Sequence, residues 1–288
     1  MLSILIVNWN TKDLLRACLL SLSEHPATNP HEIIVVDNAS TDGSAEMVSK
    51  EFPFVKLVAS AVNTGYAKGN NLGFAEAVGD WILTLNPDTE FVDNSLDIAI
   101  AELARNPSAG CLGIKQVGID GRVQKSVRGF PTVIGIFGDI TGLGRLLDGA
   151  LDSYRLSRFD YEREQCAPQP MGTFLLFRRQ ALESVGSAMA PFDETFPIFF
   201  NEVDLLYRLK KAGWECRYSP KAQILHHGGE STKQVRKSMI WESHRSLARY
   251  LWKHGGKGLR VVGLPFVSVL IFAAAFVRAK GYDAGFRA

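Results

Sequence analysis

Several signatures that would settle a function at once are missing from this chain of 288 residues. Its four cysteines, Cys18, Cys111, Cys166 and Cys216, lie far apart with no CxxC pair, so neither a zinc site nor a disulfide framework is expected. They read as ordinary buried thiols in a reducing compartment. Excess charge of one sign is also absent: Lys and Arg number 32 against 30 Asp and Glu, a formal net charge of +2, which argues against whole-molecule nucleic-acid binding. No GxGxxG follows the first strand-like run, which weighs against a dinucleotide-dependent dehydrogenase. The longest apolar run, 261–277, is interrupted by Gly263, Pro265 and Ser268. It falls short of the roughly 20 residues that a spanning helix needs. The N-terminus opens directly on Ser3-Ile4-Leu5-Ile6-Val7 with no basic n-region and no cleavage pattern, so no export is expected.

What is present is a chain with 46% hydrophobic and 22% charged residues, enough to bury a sizeable core in one large or two fused units. Short runs rich in Val, Ile and Leu at 2–7, 32–36, 55–59 and 81–85 read as buried strands. Between them, 13–22, 44–52 and 67–78 carry apolar residues at helical spacing, as in Leu15, Cys18, Leu19 and Leu22. Strand alternating with helix implies an α/β fold, a Rossmann-like mostly parallel sheet with helices on both faces, because parallel strands need crossover connections. Ligands of such sheets bind beyond the carboxyl ends of the strands, which gathers Asn8 to Thr11, Asp37 to Ser40 and Asn86 to Glu90 at one edge. Further on, Asp120-Gly121 reads as a hairpin turn, and 130–163, Gly-rich with scattered aromatics, as a mobile insert. Regularity returns with a strand at 172–178 and a helix at 203–212 ended by Gly213.

Asn86-Pro87-Asp88-Thr89-Glu90 follows the fourth strand, and Pro87 stops that strand with Asp88 at its tip. A carboxylate there can hold a hard divalent cation bridging two phosphates, although Asn-Pro-Asp is also a common turn. Asp37-Asn38-Ala39-Ser40-Thr41-Asp42-Gly43 follows the second strand, where Ser40 or Thr41 can cap the next helix and Asp37 can accept hydrogen bonds from a base or ribose. Asn63-Thr64-Gly65-Tyr66 through Asn70 opens the third helix, whose free N–H groups and dipole favour a phosphate. In Asn201-Glu202-Val203-Asp204 the two acids stand about 200 degrees apart on a helix, so they cannot serve one substrate together. Glu202 falls on the inward face with Leu205, Leu206 and Leu209, where burial raises a carboxyl pKa and suits it to general-base work. Asp204 pairs at i, i+4 with Arg208 and reads as positioning or structural; the reverse assignment stays open. Of His226 and His227, one neutral imidazole can add a metal ligand, and adjacent residues of an extended chain point apart, so only one is expected to serve.

In this order the motifs Ile6-Val7-Asn8-Trp9-Asn10, Val35 to Gly43, Asn63 to Tyr66, Leu85 to Thr89, Phe200 to Leu205 and His226 to Gly229 resemble glycosyltransferase family 2, in particular its rhamnosyltransferase-like branch. Each is weak singly; six in sequence are specific, and they cover most of 2–231. The resemblance implies a GT-A fold, Asp37 near the donor base, Asp88 as the aspartate of a DXD-like metal motif, Glu202 as the catalytic carboxylate and His226 as a metal-associated histidine. It also implies donor contacts at Asn8, Asn10, Asn38, Asn63, Gly65, Asn70 and Asn86, with Asp204 beside them. Two positions depart from the common pattern: Asn86 stands where many members carry the first Asp of DXD, and Asn201-Glu202 replaces a Glu-Asp pair.

The implied chain is a catalytic domain over 1–231, with a nucleotide-sugar half at 1–106 and an acceptor-side half at 107–231, followed by a membrane-associating tail at 232–288. The implied reaction is inverting transfer of a sugar, rhamnose from dTDP-rhamnose being favoured, to a hydroxyl of a glycan or lipid-linked acceptor in cell-surface polysaccharide synthesis, with Mg²⁺ or Mn²⁺ as cofactor. A sugar nucleotidyltransferase is the competing enzyme class, but Asn8 to Lys12 is not the Gly-rich basic loop that class needs; a non-catalytic sugar-nucleotide binder is the third reading. Between Lys233 and Arg260 eight bases face one acid, Glu242, while Val235, Met239, Ile240, Leu247 and Leu251 are apolar. A basic amphipathic helix followed by an apolar run suits an anionic surface. The expectation is an interfacial or re-entrant anchor on the cytoplasmic face of the inner (plasma) membrane.

Overall fold

The computed structural model describes residues 1–141, 143, 152–186, 190–228, 236–255 and 263–283. The four apolar runs form β1 (Leu2–Asn8), β2 (His31–Asp37), β3 (Lys56–Ala59) and β4 (Trp81–Leu85), parallel and adjacent in the order β3-β2-β1-β4. Helices α1 (Lys12–Glu24), α2 (Ser44–Glu51) and α3 (Tyr66–Glu76) connect them as crossovers. Beyond β5 (Thr89–Glu90) come α4 (Ser95–Ala104), β6 (Ala109–Val117), β7 (Val127–Arg128) and α5 (Val133–Thr141). They are followed by β8 (Gln165–Cys166), β9 (Gln169–Pro170), β10 (Phe174–Arg178), α6 (Arg179–Glu183), α7 (Asn201–Lys211) and β11 (Glu215–His226). Among the described residues the sheet has nine strands and continues from β4 through β10, β6 and β11 to β5, with β8 also on β11. β10 runs antiparallel to both β4 and β6, and β5 and β8 run antiparallel to β11, so the sheet is mixed. β7 and β9 form a separate two-stranded ribbon.

The sheet is buried on both faces because its central strands carry apolar residues at successive positions rather than only at alternate ones, with the few polar ones such as Ser3 and Thr84 also buried. On β1, Leu2, Ile4 and Ile6 pack with α1, α2 and α4, while Leu5 and Val7 pack with α3, α6 and α7. Each such side chain contributes about 1.5–3 kcal/mol on burial. The turn at Asp120-Gly121 forms as the sequence indicates: Gly121 has φ 75° and donates its N–H to Gly118 O at 2.9 Å.

Two stretches take definite form in the structure. The stretch 130–163, read as a mobile insert, contains α5, and residues 142 and 144–151 of it lie outside the described residues. Gly135 and Gly138 lower its helix propensity, but Ile136 is buried among Phe196, Val203 and Leu264, with Phe130, Val133 and Tyr154 packed against that cluster, and this burial outweighs propensity. The C-terminal segment is likewise no separate tail. It forms α8 (Arg236–His254) and α9 (Leu264–Asp283), and Tyr250, Leu251, Val267 and Ile271 join the same cluster beside α7. Gly229 to Lys233, Val235, Lys257, Arg260 and Val261, including the 231/232 boundary, lie outside the described residues. No described helix is long and apolar enough to cross a membrane.

Candidate active site

Beyond the carboxyl ends of β1, β2 and β4 lies a cavity of about 310 Å³, and Asp88, Glu202 and His226 all line it. Three separate parts of the chain deliver them. Pro87 ends β4 at the cavity, and Asn86 donates its N–H to Thr173 O at 2.9 Å, holding the strand tip against the start of β10. β5 then pairs with the end of β11, Glu90 opposite Leu225 and Thr89 opposite His226, and His227 N–H reaches Asp88 O at 3.0 Å. That pairing sets His226 Nε2 3.6 Å from Asp88 Oδ2, both residues almost fully buried. His227 turns away and meets Glu90 Oε1 at 2.6 Å. Of the two histidines, His226 is therefore the one beside Asp88.

A carboxylate oxygen and an imidazole nitrogen at this separation match two neighbouring ligands of one ion, each at about 2.0–2.2 Å from it. No cluster of three or more His, Cys, Asp or Glu side chains able to hold a metal occurs among the described residues. One carboxylate and one imidazole could share a divalent ion whose remaining positions go to substrate phosphates and water.

Glu202 reaches the same cavity from the first turn of α7. Phe200 precedes that helix with φ 67°, a conformation costing a non-glycine residue about 1–3 kcal/mol. Packing of Phe200 against the third core cluster and the Tyr250 ring, 5.7 Å away, holds it there. Gly172 lies flat against the carboxylate: a Cβ on it would sit 3.3 Å from Glu202 Cγ. Burial pushes the Glu202 carboxyl up to about 7, against the opposing pull of the Glu202 and Val203 N–H groups at the helix start.

Asp204 points the opposite way, as the helical spacing requires, and is fully buried. Its oxygens meet Arg208 Nε at 2.7 Å, Lys253 Nζ at 2.7 Å and His254 Nε2 at 2.6 Å, the last two from α8. Burial pushes its pKa up, but the hydrogen bonds from His254 and Lys253 and the charge of Arg208 outweigh that and hold it at about 2. Asp204 is not among the residues that line the cavity.

The residues expected to contact the donor divide into two layers. Asn38, Asn63, Gly65 and Asn86 line the cavity; Asn8, Asn10, Asp37 and Asn70 are not among its lining residues. Asp37 sits behind the wall, its oxygens taken by Asn8 Nδ2 at 3.0 Å and Ser40 N–H at 3.0 Å. Asn10 accepts from Thr41 N–H at 2.7 Å, and Asn70 donates to Tyr66 O at 2.9 Å. Asn38 grips the adjacent loop, accepting from Thr64 N–H at 2.8 Å and donating to Asn63 Oδ1 at 3.0 Å and Gly65 O at 3.1 Å. Gly65 needs no side chain there: φ is 85°, and a Cβ would lie 2.7 Å from Pro197 O. Two groups escaped the sequence reading. Tyr66 donates its hydroxyl to Asn86 Oδ1 at 3.1 Å, orienting that amide, and Gln124 contacts His226 from outside the cavity. The Tyr66 hydroxyl follows directly on Asn63-Thr64-Gly65, a signal that was available; nothing local marks Gln124.

With this geometry in place, comparison with known proteins is informative. The family model described as "Glycosyl transferase family 2" matches residues 3–186. The N-acetylglucosaminyl-diphospho-decaprenol L-rhamnosyltransferase of Mycobacterium tuberculosis is 32% identical over 240 residues, covering 79% of this chain and 76% of that protein. Among solved structures, the mannosyltransferase PcManGT from Pyrobaculum calidifontis in complex with GDP-Man and Mn²⁺ superposes with a TM-score of 0.60 at 17% identity, over 97% of this chain and 75% of that one. S. aureus TarS 1–349 in complex with UDP-GlcNAc gives a TM-score of 0.54 at 16% identity, over 99% and 76%. The two structures establish likeness of fold, a GT-A-like mixed sheet.

Proposed function

This chain belongs to glycosyl transferase family 2 and is a glycosyltransferase, and from that premise we propose that it moves L-rhamnose from dTDP-rhamnose, with inversion, onto the sugar of a lipid-linked N-acetylglucosaminyl diphosphate. The observation that carries the reading is that Asp88, His226 and Glu202, from three separate parts of the chain, line one cavity. The named acceptor and sugar rest on the mycobacterial relative, whose printed activity pairs them.

Asp88 and His226 would hold Mg²⁺ or Mn²⁺, which when bound neutralises the negative charge of the diphosphate leaving group. The amino end of α3 faces the same phosphates with its dipole, and Gly65 keeps that approach open. Glu202 takes the proton from the acceptor hydroxyl as its oxygen attacks the anomeric carbon in line. One C–O bond forms to the acceptor while the bond to the diphosphate breaks, and a single displacement inverts the configuration. A carboxyl pushed to about 7 is largely ready to accept a proton at neutral pH yet basic enough to do so.

The acceptor would reach this cavity from the cytoplasmic face of the inner membrane. α9 packs one face against α8 and exposes Phe266, Val269, Phe276 and Val277 on the other, and α5, in contact with α9, exposes Ile134 and Phe137. Arg278 and Lys280 lie exposed near the end of α9, so apolar and cationic groups adjoin as an interfacial anchor on anionic lipid requires.

The test incubates purified protein with a panel of nucleoside-diphosphate sugars, Mg²⁺ or Mn²⁺, and a polyprenyl-diphosphate N-acetylglucosamine acceptor. Release of nucleoside diphosphate matched by a glycosylated lipid, for dTDP-rhamnose above other donors, is expected. Transfer from a different donor would replace the sugar; donor binding with neither release nor transfer would leave a non-catalytic binder. Co-flotation with anionic but not neutral liposomes checks the surface; no flotation with either removes it.

A further inference from the structure

We propose that Gln124 is a positioning residue for the cation, locking the His226 imidazole in the one tautomer that presents a lone pair toward Asp88; this rests on the metal reading given above. Gln124 follows the Asp120-Gly121 turn, where Val123 bridges back to Val117 and Gln124 N–H bonds Gln116 O at 2.8 Å. From there its side chain touches a single residue twice. Its Nε2 donates to the His226 backbone carbonyl at 3.0 Å, and its Oε1 lies 2.7 Å from His226 Nδ1.

These two contacts fix each other. A backbone carbonyl only accepts, so the amide must turn its NH₂ to that oxygen, and the group left facing the ring is the amide oxygen, which also only accepts. The proton shared at 2.7 Å therefore belongs to Nδ1. In the neutral ring Nε2 then carries a lone pair, and it is this atom that stands 3.6 Å from Asp88 Oδ2. A lone pair on Nε2 and a carboxylate oxygen presented to one another across that gap are the donor set that a shared divalent cation takes. Without Gln124, nothing in that pair of contacts holds the proton on Nδ1. The alternative tautomer would place N–H on Nε2, donate to Asp88, and occupy both ligands with each other. One amide thereby orients the ring, anchors the end of β11 and closes off the competing internal hydrogen bond.

Three measurements on the full chain test this: ¹⁵N chemical shifts of the His226 ring without metal, Mn²⁺ affinity in the presence of a nucleoside diphosphate, and thermal unfolding. Wild type should show a protonated Nδ1 and bare Nε2. Gln124→Leu should populate the Nε2–H form and weaken Mn²⁺ binding by about 10–100-fold, the usual cost of losing an outer-shell partner. Gln124→Glu keeps the acceptor for Nδ1–H but gives up the donor to the His226 carbonyl, so it should restore the Nδ1–H tautomer and recover part of the affinity lost in Gln124→Leu, which a purely structural role would not predict. A Gln124→Leu protein that unfolds as wild type does and binds Mn²⁺ equally well overturns the proposal, as does an unchanged tautomer. If Gln124→Leu fails to fold, the Glu variant decides: a protonated Nδ1 with measurable Mn²⁺ binding supports the role, and loss of that tautomer or of binding refutes it. Failure of wild type itself to bind Mn²⁺ would instead remove the metal reading beneath it.

Discussion

The two sides of the first turn of α7 face different worlds. On one side Glu202 lines the cavity, pressed against Gly172, and its burial without a neighbouring cation lifts its carboxyl to about 7. On the other, two residues later, Asp204 is fully buried but enclosed by Arg208, Lys253 and His254, and sits at about 2. Same helix, same chemistry of side chain, opposite consequences: uncompensated burial makes a base, and compensated burial makes a bolt that fastens α8 to the catalytic helix. The comparison shows why a helix carrying an acid-x-acid pair cannot be assigned by residue type alone. What decides is which neighbours the remaining fold supplies.

The largest expected effect separates the two acids by chemistry. Glu202→Gln should lower kcat by about 10²–10⁴, the range for loss of a general base, while calorimetry finds the donor affinity within about twofold of wild type. Near-normal turnover would end the role given to Glu202. Next in size, Asp204→Asn leaves Arg208 and Lys253 facing a neutral amide and should cost about 3–5 kcal/mol in urea unfolding, as removal of one partner of a buried ionic cluster does. Its activity should fall only as the folded fraction falls. Loss of turnover at unchanged stability would instead exchange the roles of the two residues and break the contrast.

How much of this was written locally in the chain differs along the same lines. The strand tips and Asp88 were legible because a short, mainly apolar run stopped by Pro87 specifies both an element and its end. Glu202 and Asp204 were legible as divergent, since helical geometry alone turns them apart. The partners of Asp204 were not. Lys253 and His254 lie about fifty positions later, on a helix that reads from the sequence as a surface anchor, and only tertiary packing brings their nitrogens onto a buried carboxylate. Gln124 is hidden for the same reason, lying 102 positions from His226. The donor layer was half legible: asparagine-rich motifs marked the right loops, but not that Asn8, Asn10 and Asp37 spend their hydrogen bonds on one another and on the 40–41 backbone, behind the residues that meet the cavity.

Acidity sharpens the contrast further. A raised Glu202 pKa places the loss of catalysis near neutrality: kcat/KM should rise about tenfold per pH unit below about 7 and level off above it. Asp204 acts elsewhere on the scale. Its folded value lies below the ordinary 3.8, so the stability it contributes is present above 3.8 and is lost as pH falls through about 2. An acid-unfolding curve should therefore lose its step between those values in Asp204→Asn and keep it in Glu202→Gln. A rate profile flat from pH 5 to 8 would refute the first half of this statement.

The smallest effect concerns stability at the base itself. Because the folded protein holds the Glu202 proton more tightly than the unfolded chain, whose carboxyl titrates near 4.5, stability declines as pH rises from 4.5 to about 7 and stays reduced above that. Glutamine carries no such charge. Glu202→Gln should accordingly be more stable than wild type at pH 8, by about 1–3 kcal/mol, and indistinguishable from it at pH 4. Thermal unfolding at the two pH values reads this directly. An equal gain at both would mean that improved packing against Gly172, rather than relief of a buried charge, stabilises the variant, and the raised pKa of the proposed base would lose its physical support.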